Sequence, residues 1–198
     1  WSSAFGDARG RPLLVDVGTA KGGFIKALST ERAEAFTRAK QGVEFNLLGV
    51  EIYPPLVRQA NAWVRANEAR LRLPVHFVSA NVNVSLESMN LPNVRAVCVQ
   101  FPDPWSRGRH FERRVMTPEF ARALANVLPS GGELFCCSDV KALASEMYDV
   151  VAANDDFIID EATYARPVRN RRWLRANPYE AFTERDIVCE GKWRPVYR

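Results

Sequence analysis

The chain has 198 residues and a mass of 22.3 kDa, 47% of them hydrophobic and 25% charged, an ordinary globular balance that excludes collagen-like, mucin-like and wholly disordered chains. One α/β sheet with flanking helices absorbs that length, so a single domain over residues 1–198 is expected. The net charge of +4 does not by itself argue for nucleic acid, and no apolar run approaches the ~20 residues that span a bilayer.

In chain order, Pro12 to Val17 is a short apolar run that ends in the glycine-rich stretch Gly18 to Gly23, after which Phe24, Ile25, Ala27 and Leu28 start a helical pattern. This reads as strand, turn, helix. A second strand-like run, Phe45 to Ile52, precedes Pro54-Pro55 and a helix-period stretch predicted to continue through Leu71. Strands are predicted at Pro74 to Ser79, Val94 to Phe101 and Gly132 to Ser138, and helices at Pro118 to Leu128 and Val140 to Ala153. Such alternation predicts a mostly parallel, doubly wound α/β sheet with helices on both faces. Two apolar runs in the tail, Phe157 to Ile159 and Ile187 to Val188, are expected to add edge strands.

Charge is unevenly spread. Four arginines fall between Arg107 and Arg114 against Glu112 alone, and five between Arg166 and Arg175 with no acid, whereas the segment from Asp139 to Glu161 holds seven acids and the single Lys141. The arginine clusters suit bidentate phosphate contacts, with internal ion pairing as the alternative. The four cysteines have neither metal-ligand nor disulfide-framework spacing, so no metal is expected and a reducing compartment is, either cytosol or an organelle stroma. The chain opens on Trp1 rather than methionine, and a native N-terminus with any targeting peptide is expected to lie outside it.

Open α/β sheets bind ligands at the carboxyl ends of their strands. Polar residues at those ends are Asp16, Glu51, Asn81, Asp103 and Asp139, joined by the glycines at Gly18, Gly22 and Gly23. A nicotinamide dinucleotide wants Gly-x-Gly-x-x-Gly, but this loop reads Gly18-x-Ala20-x-Gly22-Gly23 behind an acid, Asp16. A carboxylate there repels a pyrophosphate and accepts from an ammonium group, while Glu51 can hold the two ribose hydroxyls of an adenosine. Adenosine plus ammonium describes S-adenosylmethionine. Phe101-Pro-Asp-Pro-Trp105 is the most specific string, since two prolines hold Asp103 stiffly between aromatic rings, ahead of Arg107, Arg109, His110, Arg113 and Arg114. A rigid turn with a capping aspartate is the plainer account; a site reading one base within a polyanion is the functional one.

With these strings in view, the sequence from Leu13 to Tyr197 resembles the tRNA (guanine-N7-)-methyltransferases, through Val15-Asp-Val-Gly18, Gly49-Val-Glu-Ile52, Phe101-Pro-Asp-Pro-Trp105, Arg109-His110 with Arg113-Arg114, Pro129-Ser-Gly-Gly-Glu133, Ser138-Asp139, Thr183-Glu-Arg-Asp186 and Pro195-Val-Tyr197. The resemblance implies a Rossmann-like class I methyltransferase that uses S-adenosylmethionine and leaves S-adenosylhomocysteine. It implies that Asp16, Glu51, Asn81 and Asp103 line the cofactor pocket beside Gly18, that Asp103 is also the catalytic position, and that Arg107, Asp139 and the segment Thr183 to Asp186 meet the guanosine. Arg109, Arg113 and Arg114 are expected on RNA phosphate. Family members often carry lysine at the positions of Arg107 and Glu112, an acid at that of Asn81 and glutamate at that of Asp186. Asp103 is expected either to stabilise the guanine as it becomes cationic or to grip its N1 and N2 donors. The rivals are a catalytically silent tRNA-binding relative, against which the intact Asp16, Glu51 and Asp103 argue, and a nicotinamide oxidoreductase, which the missing glycine fingerprint disfavours.

Overall fold

The computed structural model describes residues 1–104, 114–160, 173–174, 176–179 and 181–198. Five strands, β1 (Leu13–Val17), β2 (Asn46–Glu51), β3 (Val75–Ser79), β4 (Val94–Gln100) and β5 (Glu133–Cys137), form one parallel sheet in the order β3-β2-β1-β4-β5. The helices among the described residues are α1 (Ser2–Phe5), α2 (Gly23–Ser29), α3 (Ala33–Ala39), α4 (Pro54–Ala66), α5 (Val82–Ser85), α6 (Pro118–Val127), α7 (Lys141–Ala152) and α8 (Glu184–Gly191). This is the doubly wound, Rossmann-like arrangement expected from the alternating pattern.

The central strand β1 is buried at all five positions, as a parallel strand covered on both faces must be. Its alternate residues feed two cores. Leu14 faces Phe24, Ile25 and Leu28 of α2, Phe36 of α3 and Val57 and Ala60 of α4, whereas Leu13, Val15 and Val17 face Phe120 and Leu124 of α6 and Leu143, Met147 and Val151 of α7. Asp16 occupies the α2 side of the sheet by the same alternation, a polar residue where the period demands an apolar one. The chain lays down β1, β2 and β3 in one direction and then returns to place β4 on the other side of β1, so the strand order reverses between β1 and β4. Ligands bind at such a reversal.

Two expectations fail. The helix that opens at Pro54-Pro55 stops at Ala66, not Leu71, because Asn67 Nδ2 donates to Trp63 O at 2.8 Å and closes the last turn, and a single 3-10 turn follows at Glu68–Arg70. Neither tail strand is present among the described residues. Phe157 to Ile159 has no regular structure, and Ile187 and Val188 lie in α8. A capping box overrides their β propensity: Thr183 Oγ1 accepts from Asp186 N at 3.0 Å while Asp186 Oδ2 accepts from Thr183 N at 3.0 Å. The only bridge beyond β5 among the described residues is the antiparallel Ser138 to Tyr197 pair.

Helix α6 begins at Thr117, whose hydroxyl accepts from Phe120 N at 3.2 Å, with Pro118 in the first turn. Thr117→Ala should lower unfolding free energy by about 1 kcal/mol in a urea titration; an unchanged midpoint would show that the cap is not needed to start the helix.

Candidate active site at the strand-order reversal

A cavity of about 360 Å³ opens at the carboxyl ends of β1 and β4, walled by Asp16, Gly18 and Thr19 from β1 and its loop, by Gln100 and Phe101 from β4, and by Thr183, Glu184, Arg185 and Val188 from α8. A wider groove of about 730 Å³ lies elsewhere, between α6 and α7, and carries Glu146, Asp149, Asp155 and Asp156. That lining repels a polyanion, and no strand end contributes to it.

Asp16 is 3% exposed and accepts from Gln100 Nε2 at 3.2 Å. Burial pushes its carboxyl up from 3.8 to about 7, the Thr19 and Gln100 side chains pull against that rise, and the nearby Glu184 and Glu51 carboxylates add to it. Gln100 Oε1 is buried and has no partner among the described residues, which is costly unless a donor arrives. Glu51 closes β2 and clamps the loop: its Oε2 accepts from Ala20 N at 3.0 Å and its Oε1 from Tyr53 N at 3.0 Å. A carboxylate offers about four lone-pair sites, so half remain. Gly18 turns at φ +71 with open space where a side chain would stand.

Gly23 leaves room for a close approach of an acid. A Cβ there would come within 2.7 Å of the Glu184 carboxylate, so its absence lets α8 press an acid onto the first turn of α2. Lys26 does not neutralise that acid directly, since its ammonium donates to Lys21 O at 2.6 Å and lies 5.2 Å from the Trp63 ring centroid.

The other expected site residues are distributed as follows. Asn81 caps α5, accepting from Asn83 N at 3.2 Å, and is exposed at the end of β3 beside β2, where Ala80 N donates to Glu51 O. Asp103 is exposed between its two prolines, past Phe101. Phe101 itself sits at φ +49 with its N–H on Cys137 O at 2.8 Å, a left-handed conformation that costs a bulky residue ~1–3 kcal/mol and so marks strain at the cavity wall. Asp139 Oδ2 accepts from Arg185 Nε at 3.1 Å. Thr183 is on the cavity wall, but Asp186 is 3% exposed and committed to the capping box and to Arg198, 2.9 Å away. Arg114 has 14% side-chain exposure and pairs with Glu146, the internal alternative raised for these arginines. Trp105, Arg107, Arg109, His110 and Arg113 lie outside the described residues, as does the arginine cluster from Arg166 to Arg172 together with Arg175.

Sequence reasoning passed over Gln100 and also Lys21, which lines the cavity, and it treated Glu184 and Arg185 only as part of a string. Gln100 had a signal, being the one polar residue at the end of the apolar run Val94 to Gln100 other than Arg95. Among the described residues there is no group of three or more acidic, histidine or cysteine side chains able to hold a metal, and no helix long and apolar enough to cross a membrane. All four cysteines are free.

Residues 10–186 match the methyltransferase family model Methyltransf_4. The chain is 40% identical over its whole length to the tRNA (guanine-N(7)-)-methyltransferase of Synechocystis sp., covering 85% of that protein. It is 38% identical, again over 100% of its length, to the enzyme of the same description from Synechococcus elongatus, covering 84% of it, and 36% identical over 95% of its length to that of Trichormus variabilis, covering 80%. The chain belongs to the tRNA (guanine-N(7)-)-methyltransferase family. In this family member the most specific string, Phe101 to Trp105, begins on the strained wall residue of the cavity, and the C-terminal string Thr183 to Asp186 begins α8 on the opposite wall.

Proposed function

We propose that this family member, as one domain over residues 1–198, transfers the methyl group of S-adenosylmethionine to N7 of a guanosine in tRNA. The observation that carries the reading is the cavity at the strand reversal, with a buried carboxylate, an unpartnered amide oxygen and a second acid on one wall, in a chain similar over its whole length to enzymes of that description.

The residues fit the cofactor. Asp16 and Gln100 Oε1 together offer acceptors to an ammonium group, the remaining lone pairs of Glu51 can accept from two ribose hydroxyls, and the open space at Gly18 admits a ligand against the backbone. When bound, the cofactor supplies a methyl group activated by a sulfonium. Guanine N7 carries a free lone pair, so no side chain has to remove a proton from it. The work left to the chain is placement of the base and a field that tolerates its new positive charge. Asp103, held by Pro102 and Pro104 past the cavity wall, is the residue we assign to that field or to the base edge. Arg107, Asp139 and Thr183 are assigned to the guanosine, and Arg109 and Arg113 to phosphates. Four free cysteines suit a reducing compartment, cytoplasm or plastid stroma.

Glu51→Ala tests the cofactor half of the reading. It removes a carboxylate hydrogen-bonded to the loop and, in the bound state, to two hydroxyls, so calorimetry should record at least about tenfold weaker binding of S-adenosylmethionine and S-adenosylhomocysteine alike. Unchanged affinity in a folded variant would remove Glu51 from the pocket.

A further inference from the structure

We infer that Trp193, with Lys192 and Arg194 on either side, is a stacking contact for a base of the RNA strand that leads into the cavity, an inference that rests on the tRNA reading above. Helix α8 ends at Gly191, and the chain then reverses sharply: Trp193 N donates to Glu190 O at 3.1 Å and Arg194 N to Cys189 O at 2.8 Å. The reversal holds Trp193 at φ +53, in the left-handed region usually given to glycine or asparagine at a helix end. A large side chain is disfavoured there, and this one is 95% exposed. Neither the turn nor the core has use for an indole at this position. Burial would stabilise it, and the fold leaves it in water.

Its surroundings specify the partner. Lys192 and Arg194 are both exposed, so along the chain an exposed ring has a cation on either side, the combination with which proteins hold single-stranded nucleic acid: rings for the bases and charges for the phosphates. The helix that ends at the patch also walls the proposed site. Val188 lines the cavity and is 40% exposed, and Ile187 beside it is 62% exposed. Trp193 lies five positions after Val188, past the C-terminal end of the same helix, so a strand whose guanosine enters the cavity is placed to meet both. A second copy docking patch to patch would set Lys192 and Arg194 against their own equivalents, which like charges oppose.

The test compares wild type, Trp193→Ala and Trp193→Phe for tRNA affinity at fixed salt, methylation kinetics and calorimetric binding of S-adenosylmethionine. The alanine variant should bind tRNA about tenfold more weakly, the scale of one stacked base, with KM for tRNA rising in parallel. Its kcat at saturating tRNA and its cofactor affinity should match wild type, and phenylalanine should restore most of the loss because it keeps a ring. Lys192→Ala and Arg194→Ala should each make the salt dependence of binding shallower by about 0.7 per phosphate contact removed. Wild-type tRNA affinity in Trp193→Ala would overturn the inference, as would an equal loss in the alanine and phenylalanine variants. Lost self-association with unchanged tRNA affinity would overturn it in favour of a protein contact. A tenfold loss of tRNA affinity in a chain whose wild type makes no N7-methylguanosine would uphold the contact and overturn the reaction instead.

Discussion

Asp103→Asn should lower N7-methylguanosine formation by about two orders of magnitude, a barrier increase of about 2.7 kcal/mol, while the protein keeps its fold. The substitution preserves size and most hydrogen-bonding atoms and removes only the charge. Methyl transfer moves positive charge from sulfur onto the guanine ring, and in the proposed reaction the Asp103 carboxylate, between Pro102 and Pro104, would meet that charge where it develops. Single-turnover rates separate the two roles open to it. Loss confined to the chemical step marks charge stabilisation, whereas loss shared with guanosine recognition marks positioning, because asparagine presents a donor as well as an acceptor to the base edge. A turn-capping aspartate predicts a third pattern, since asparagine caps nearly as well, and turnover close to wild type in a folded variant would withdraw the catalytic assignment.

Asp16→Asn should stabilise the ligand-free protein and weaken the ligand-bound one. The folded chain raises the Asp16 carboxyl from 3.8 to about 7, chiefly by burial, so between those values the folded state holds a proton that the unfolded state has released. Stability therefore falls as pH rises from about 4 to 7, and the whole penalty, on the order of 4 kcal/mol, persists above pH 7. Asparagine carries no such penalty and keeps an oxygen for Gln100 Nε2. Denaturant melts of the ligand-free chain should show the variant ahead by about 2 kcal/mol at pH 5, where the unfolded carboxyl is already ionised, and by about 4 kcal/mol at pH 8. The same variant should bind S-adenosylmethionine about tenfold to a hundredfold more weakly, through loss of a charged hydrogen bond to the ammonium group. A flat pH profile in wild type would mean that Asp16 is ionised at little cost. A site that destabilises the fold until its ligand arrives is a common origin of the trade between stability and activity.

The sheet was legible because its signals are local. Runs such as Leu13 to Val17 and Val94 to Gln100 are too continuous for one-sided strands, and glycine, proline or asparagine bounds each of them. The β1–β4 reversal is not written in any single segment, but the alternation of strands and helices implies it. The tail misled for a physical reason: Ile187 and Val188 have β propensity, whereas Thr183 and Asp186 satisfy the first turn of a helix, and the cap prevails. Asp16 and Glu51 were readable as strand-end acids because topology brings strand ends together. The approach of Glu184 to Gly23 was not, since 161 positions separate them and only the absent Cβ betrays the contact. The pairing of Arg114 with Glu146 was equally invisible in outline, because a basic cluster read along the chain says nothing of an acid on α7.

One measurement tests the proposed reaction most directly. The purified chain is incubated with methyl-labelled S-adenosylmethionine and unfractionated tRNA, and the RNA is then digested and its labelled nucleosides identified. Label is expected in N7-methylguanosine, reduced about tenfold or more by Glu51→Ala at limiting cofactor and about a hundredfold by Asp103→Asn. Label in any other nucleoside, or none from a chain that binds the cofactor in calorimetry, would contradict it.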